Sequence, residues 1–314
     1  MSSSTTQIVI GLGPVISNIV QPILGGSIKF IEEPNEKDFE IAVGAIVRAS
    51  YVVDKAAIDS MPNLKVIART GVGTDLVDLD EADKRNIPVI ITPGSNTNAV
   101  AEGAIAHILH LSKRLGPLTK LVASGKFSDR TNYPVGDLAG NTLGIIGYGR
   151  IGQRVAHLAK AFDLKICAYD PYANVPSEIK VETVAELISQ SEIVTLHLPL
   201  TRETEGLINR ESLAKFRDGA ILVNCSRGGL IELDAALEAL NSGKLSGVGL
   251  DVFDLEPPKH HPIFNHENTV LTPHVMGLSK RATLATFVDA AQGIRDVLDG
   301  KQPKAIANLK DRKN

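Results

Sequence analysis

The chain of 314 residues has only two cysteines, Cys167 and Cys225, and no apolar run near the roughly 20 residues that span a bilayer. Each cysteine lies in a short apolar run that reads as a buried strand, where a reduced thiol acts as a small hydrophobe, so a disulfide framework is not expected. The residues Met1 to Thr6 are polar and lack a basic segment followed by an apolar one, so no secretory signal is read and a cytoplasmic protein is expected. No excess of one charge is present: the formal net charge is −3, which points to neither nucleic acid nor an anionic membrane as partner. A G-x-S-x-G motif is missing, which removes the common serine-hydrolase reading. Internal repeats and low-complexity segments are also missing. Four late histidines, His260, His261, His266 and His274, match no standard zinc spacing and have no paired cysteines, so no metal is expected. His107 and His110, three apart on a predicted helix, read as interface or satisfied helix residues rather than ligands.

What is present is ordinary globular composition, 43% hydrophobic and 22% charged, in a chain long enough for two domains. Short apolar runs alternate with helical stretches. Five come early: Gln7–Gly11, Ile28–Ile31, Gly44–Val47, Leu64–Ala68 and Val89–Ile91. Six follow a long helical region: Leu143–Gly147, Lys165–Tyr169, Ile193–Leu198, Ala220–Asn224, Val248–Asp251 and Thr269–Thr272. Runs this short, bounded by Gly, Pro and Asp, read as buried strands of parallel sheets. The break falls in the loop chemistry of Pro93–Asn98, after which Val100, Ala104, Ile108 and Leu111 recur at helical spacing. A last helix over Leu284–Leu298 stops at Asp299-Gly300.

The most specific local signal is Gly147-Tyr-Gly149-Arg-Ile-Gly152, which follows a strand and opens a helix. Gly147 permits the tight turn, Gly149 lets backbone approach a pyrophosphate, and Gly152 lets helix and strand pack closely. The pyrophosphate then meets free N–H groups at the positive helix end. The next strand ends at Asp170, placed to accept hydrogen bonds from ribose hydroxyls and to repel a 2′-phosphate, so NAD is expected rather than NADP. Near the N-terminus, Gly11-Leu-Gly13-Pro also follows a strand. It lacks the third glycine, and Pro14 removes an N–H that an anion would need, so it reads as a simple turn.

Three reactive side chains stand just after predicted strands: Arg227, Glu256 and His274. Ligands in open α/β sheets bind at the carboxyl ends of strands. Hydride delivery to a ketone creates an alkoxide that a histidine is suited to protonate. A neighbouring carboxylate favours the imidazolium, and an arginine can hold a substrate carboxylate and polarise the carbonyl oxygen.

The chain resembles the D-isomer-specific 2-hydroxyacid dehydrogenase family over nearly its whole length. The resemblance rests on the glycine fingerprint, Asp170-Pro, His197-Leu-Pro199, Asn224-Cys-Ser-Arg-Gly-Gly, Asp251-Val-Phe-Asp-Leu-Glu-Pro and Thr272-Pro-His. It implies Arg227 as the polarising residue, Glu256 as the partner of the histidine and His274 as acid/base. For the cofactor it implies Gly147, Gly149, Arg150, Ile151, Gly152, Asp170, His197, Pro199, Cys225 and Asp251. It implies a Rossmann NAD-binding domain, about 99–280, inserted into a flavodoxin-like substrate domain formed by 1–98 and 281–314, with a cleft that closes on the substrate. It also implies a homodimer joined through the helix that starts near Ala99, where Gly103, Ala104 and Ala106 suit close packing.

Within the family the loop Ala68-Arg-Thr-Gly-Val-Gly-Thr-Asp resembles that of phosphoglycerate dehydrogenases. On that resemblance Arg48, Arg69, Val72 and Gly73 are substrate-binding, and 3-phosphoglycerate with phosphohydroxypyruvate is the expected pair. Hydroxypyruvate, glyoxylate or another 2-oxo acid is the alternative. The chain departs from the pattern at Leu76, where Asn is common, and after His274, where Met276 and Leu278 are expected to make the pocket wall apolar. The regulatory domain of many phosphoglycerate dehydrogenases has no counterpart here, so serine feedback through it is not expected. A non-catalytic NAD-sensing protein is the alternative of another class, and the complete Arg227, Glu256, His274 set argues against it. Formate dehydrogenases on this scaffold pair the histidine with glutamine, and Glu256 points away from them.

Overall fold

The computed structural model describes residues 6–48 and 51–309. It divides into two compact units, one formed by Met1–Asn96 with Ser279–Asn314 and the other by Thr97–Leu278. Each is a parallel sheet with helices on both faces, so the expected α/β architecture and the five-and-six division of strands hold.

In the first unit β1 (Gln7–Leu12), β2 (Ile28–Ile31), β3 (Ala42–Val47), β4 (Val66–Arg69) and β5 (Val89–Ile90) run parallel in the order β2-β1-β3-β4-β5. This is the flavodoxin-like order, with the chain reversing direction across the sheet beside β1. Both faces bury aliphatic side chains: Val9, Ile46 and Val66 on one, Ile10, Val47 and Ile67 on the other. The near-continuous apolar runs follow from that double burial.

The C-terminal helix Lys280–Leu298 covers the first face with Phe287, Ala290, Ala291 and Ile294. It begins a turn earlier than the apolar pattern suggests. Ser279 caps it by accepting from the N–H of Ala282, while Leu284, which marked the expected start, is half exposed. The chain then returns to the sheet, where Asn308 Oδ1 accepts from Val89 N–H and its Nδ2 donates to Ile87 O. Both ends of the chain therefore build one unit.

In the second unit β6 (Thr142–Ile146), β7 (Lys165–Tyr169), β8 (Ile193–Leu196), β9 (Ala220–Asn224), β10 (Leu245–Leu250) and β11 (Thr269–Leu271) lie in the order β11-β10-β9-β8-β6-β7, all parallel. The order reverses between β6 and β8, the switch point where an α/β sheet opens a crevice at its carboxyl edge. The helix Thr97–Ser112 lies against β9 and β10 with Val100, Ala104 and Ile108 inward, as the spacing predicts. Its Gly103 and Ala104 are buried inside this unit, Gly103 against the side chain of Met276, while Ala106 is exposed. Among the described residues no helix is long and apolar enough to cross a membrane.

Phe287 is 1% exposed and, with Phe30, is among the largest side chains buried against the first sheet. Phe287→Ala is expected to lower stability by about 3–5 kcal/mol, because the cavity it leaves cannot fully collapse. Urea unfolding measures this, and a loss below about 1 kcal/mol contradicts the packing described.

Candidate active site

The glycine turn is set by contacts that exclude a side chain. Gly147 adopts a φ of 94°, and a Cβ there would strike the carbonyl of His197 at the end of β8. A Cβ on Gly152 would strike the carbonyl of Gly147, so helix and strand approach closely only with glycine. The helix Arg150–Ala159 starts at Gly149, above which lies open space, and Arg150 is exposed at its first position. Ile151, in the first turn of this helix, is half-buried, and Pro199, in the loop after β8, is exposed.

Asp170, expected to meet a ribose, also holds the backbone around it. Its Oδ2 accepts from Tyr148 N–H at 2.8 Å, bolting the glycine turn to the end of β7, while Oδ1 accepts from Tyr172 and Ala173 N–H. A carboxylate has about four acceptor sites, so one remains for a ribose hydroxyl. The open helix N-terminus and this anchored carboxylate fit NAD.

Two other residues expected to meet the cofactor are more enclosed. The Cys225 thiol is 8% exposed in the apolar core, and burial, reinforced by the charge of Asp251, pushes its pKa up. It is an inert thiol rather than a nucleophile. His197 pairs its Nε2 with Thr195 Oγ1 at 2.9 Å, and burial lowers its pKa to about 3, so the ring is neutral.

Arg227 follows β9 on a loop locked by Asn224. The fully buried Asn224 side chain donates to Arg227 O at 2.7 Å and accepts from Ser226 N–H, and Ser226 Oγ reaches back to Leu196 O. A Cβ on Gly228 would collide with the backbone of Phe253 and Asp254, so the loops after β9 and β10 touch there. That contact places the Arg227 charge near Glu256. Partial burial raises the pKa of Glu256, but the hydrogen bond and charge of His274, Phe253 N–H and the charge of Arg227 outweigh it and hold the carboxyl below its ordinary value.

His274 closes the arrangement. Its Nδ1–H donates to Glu256 Oε2 at 2.7 Å, and both side chains keep more than a third of their surface in solvent. The bond to a carboxylate fixes the tautomer and turns Nε2 away from Glu256. Beside the pair lies a cavity of about 370 Å³ lined by Phe253, Pro257, Pro258, Leu271 and Pro273. The structure thus brings Arg227, Glu256 and His274 together at the carboxyl ends of β9, β10 and β11.

Asp251 is 2% exposed at the end of β10. Burial raises its pKa, opposed by donors from Thr272, Val275 and Met276. Its carboxylate is therefore engaged by the His274 loop, a role that the cofactor assignment did not contain. The Met276 side chain packs on Gly103 and is half-buried. Leu278 is 43% exposed.

In the first unit Arg69 is 6% exposed at the end of β4. Arg48 follows β3, lies 5.3 Å from the ring centroid of Phe287, and has its pKa lowered by burial. The N–H groups of Val72 and Gly73 follow a turn in which Gly71 N–H is held by Thr92 Oγ1, and Val72 is 48% exposed.

Against known proteins, the family model "D-isomer specific 2-hydroxyacid dehydrogenase, NAD binding domain" matches residues 105–276. Hydroxypyruvate reductase of Thermotoga maritima is 41% identical over 254 residues, covering 79% of this chain and 82% of that protein. D-3-phosphoglycerate dehydrogenase of Bacillus subtilis is 34% identical over 298 residues, covering 92% of this chain. The chain spans 57% of that relative's length. The structure of D-lactate dehydrogenase from Aquifex aeolicus, complexed with NAD and lactic acid, superposes with a TM-score of 0.83 at 29% identity, covering 94% of this chain and 96% of that one.

Since Asp170 anchors the turn and keeps an acceptor site that suits a ribose hydroxyl, Asp170→Ala is expected to weaken NADH binding about tenfold or more, a loss of roughly 1.4 kcal/mol. It should also narrow the preference for NADH over NADPH. Fluorescence titration with both cofactors measures this, and an unchanged ratio would contradict the assignment.

Proposed function

Because this chain belongs to the D-isomer specific 2-hydroxyacid dehydrogenase family, we propose that it transfers a hydride between NAD and C2 of a small D-2-hydroxy acid or its 2-oxo acid. The observation that carries this reading is the 2.7 Å bond between His274 and Glu256, after strands of the same parallel sheet whose β6 ends in the glycine turn. NADH, when bound, supplies the hydride. Arg227 holds the substrate and polarises its C2 oxygen, and His274 Nε2 gives that oxygen a proton as negative charge develops on it. Glu256 keeps Nδ1 protonated and stabilises the imidazolium. In oxidation the same imidazole takes the proton back. A protein that only sensed NAD need not keep this pair, which argues for the catalytic reading.

Arg48, Arg69 and the N–H groups of Val72 and Gly73 are proposed to bind the substrate. The two N–H groups suit a carboxylate, for which no protein acceptor competes among the described residues. The arginines suit a second anion, which favours phosphohydroxypyruvate. Hydroxypyruvate or glyoxylate is the second reading, favoured by 41% identity to a hydroxypyruvate reductase of matching length and by the half-buried stacking of Arg48 on Phe287.

A homodimer is also proposed, in which the segment after the helix Thr97–Ser112 forms the contact. Leu115, Val122, Phe127 and Val135 are each about half or more exposed there, an apolar patch that a second copy would cover. Phe127→Asp is expected to shift sedimentation toward the monomer, and an unchanged dimer excludes this face.

His274→Ala should lower kcat for reduction by about 10²–10⁴-fold with little change in NADH affinity. In Glu256→Gln the imidazolium loses a stabilising charge, so the pH above which reduction fails should move down. Steady-state rates between pH 5 and 9 test both, and full activity in His274→Ala would place the proton donor elsewhere.

Phosphohydroxypyruvate is expected to give a higher kcat/KM than hydroxypyruvate, glyoxylate or pyruvate. Arg48→Ala should raise KM for the phosphorylated substrate while sparing glyoxylate. A higher kcat/KM for hydroxypyruvate selects the second reading.

A further inference from the structure

The helix Thr97–Ser112 buries an imidazole that the mechanism above does not use. His107 is 2% exposed on a face otherwise filled by Ala104, Ile108 and Ile105. Its Nε2 lies 3.1 Å from Thr272 Oγ1, and that hydroxyl lies 2.6 Å from Asp251 Oδ1. Asp251 in turn holds the segment that carries His274. Its carbonyl accepts from His274 N–H at 2.7 Å, its Oδ1 from Val275 N–H at 3.0 Å and its Oδ2 from Met276 N–H at 3.2 Å.

The protons in this chain run one way. A carboxylate that receives two backbone N–H groups acts as an acceptor, so the single Thr272 proton goes to Asp251. Thr272 oxygen must then accept from His107, and Nε2 of that ring carries the hydrogen. Burial, with a smaller effect from the charge of His110, lowers the pKa of His107 to about 4. The ring is therefore a neutral donor throughout the ordinary working range. Its Nδ1 faces Gly249, whose missing side chain leaves room for the ring.

His274 needs such support. It sits at a φ of 52°, a left-handed conformation that a side chain with a Cβ adopts only when neighbouring bonds hold it. Its N–H is shared between the carbonyls of Asp251 and Thr272, and the N–H groups of Val275 and Met276, the two residues that follow, end on the Asp251 carboxylate. A buried carboxylate grips reliably only if its own orientation is held, and Thr272 is the one side-chain donor recorded on it among the described residues.

We propose that His107 is a positioning residue for His274, acting through the Thr272 hydroxyl and the Asp251 carboxylate. The helix of the second unit thereby orients an acid/base group 167 positions later in the chain (274 minus 107). The inference rests on His274 being that group, so its test includes a readout that does not depend on turnover.

The variants are His107→Leu, which removes the donor at similar volume, and His107→Gln, whose side-chain amide can return an N–H. In His107→Leu, kcat for 2-oxo acid reduction is expected to fall about tenfold, because small displacements of a reacting group are costly. Its KM for NADH should be unchanged, and the pH above which reduction fails should move down as the grip of Glu256 on His274 loosens. His107→Gln should restore most of both. The other groups that can act on these titrations are His110 beside His107, Cys225 beside Asp251, and Arg227 beside Glu256, and all are retained in every variant. A kcat within twofold of the parent in His107→Leu overturns the proposal, as does a Gln variant as impaired as Leu.

Should His107→Leu fail to fold, Thr272→Val against Thr272→Ser asks the same question, since only Ser keeps the hydroxyl. Equal rates in those two overturn the proposal. Independently of activity, ¹⁵N spectra of the imidazoles should show His107 with hydrogen on Nε2. They should also show the His274 signals changed in His107→Leu and recovered in His107→Gln, with those of His197 unmoved. Unchanged His274 signals overturn the relay even in an active enzyme. Changed signals in a protein that reduces no 2-oxo acid sustain the relay and reject the catalytic reading instead.

Discussion

A carboxylate buried at the end of a strand is costly unless donors surround it. Asp251 meets that condition with the Thr272 hydroxyl and the N–H groups of Val275 and Met276. The consequence is geometric. The segment after β11 cannot leave the end of β10 without stripping partners from a buried charge. His274 lies inside that segment, and its own N–H is held by the Asp251 carbonyl. The position of one imidazole therefore depends on the solvation of one carboxylate. Glu256 meets the ring from the loop that follows Asp251, so both ends of the His274 arrangement hang from β10.

The same economy recurs at the other strand ends. Asn224 binds the backbone on either side of Ser226 and so shapes the loop that presents Arg227. Asp170 ties the glycine turn to the end of β7. In each case a short polar side chain at the last residue of a parallel strand, or just beyond it, satisfies loop N–H groups that the sheet no longer pairs. Rigid loops follow, and a site built on them needs little reorganisation when a substrate arrives. The glycines serve the complementary purpose, since Gly147, Gly152 and Gly228 bring backbones closer than any side chain permits.

Electrostatics in the site is asymmetric. Glu256 remains ionised because His274 and Arg227 together offset its partial burial. Charge stays on the carboxylate and donors stay on the imidazole and guanidinium. The neutral, buried His107 and His197 stand apart from that pattern. Their rings are hydrogen-bonding members of the framework, paired with threonine hydroxyls where the more exposed His274 pairs with a carboxylate.

Much of this was legible in the order of residues. Eleven apolar runs bounded by turn residues specify two parallel sheets, because strands covered on both faces have no polar side to display. The glycine fingerprint, Asp170, Arg227, Glu256 and His274 were identifiable from their places after strands. Other features were not. The early start of the helix Lys280–Leu298 came from the Ser279 cap, which apolar spacing does not register. Gly103 looked like a small residue left open on its helix, yet Met276 packs on it from more than 170 residues away (276 minus 103). Whether a small residue faces a partner or its own fold is decided by which distant side chain reaches it first. His107, Thr272 and Asp251 are separated by 165 and 21 positions and carry no joint signature. Local sequence determined where strands, turns and reactive side chains fall, since those depend on neighbours along the chain. Only the tertiary structure decided which buried polar groups satisfy one another, because that pairing is made by whatever the folded sheet places within hydrogen-bond reach.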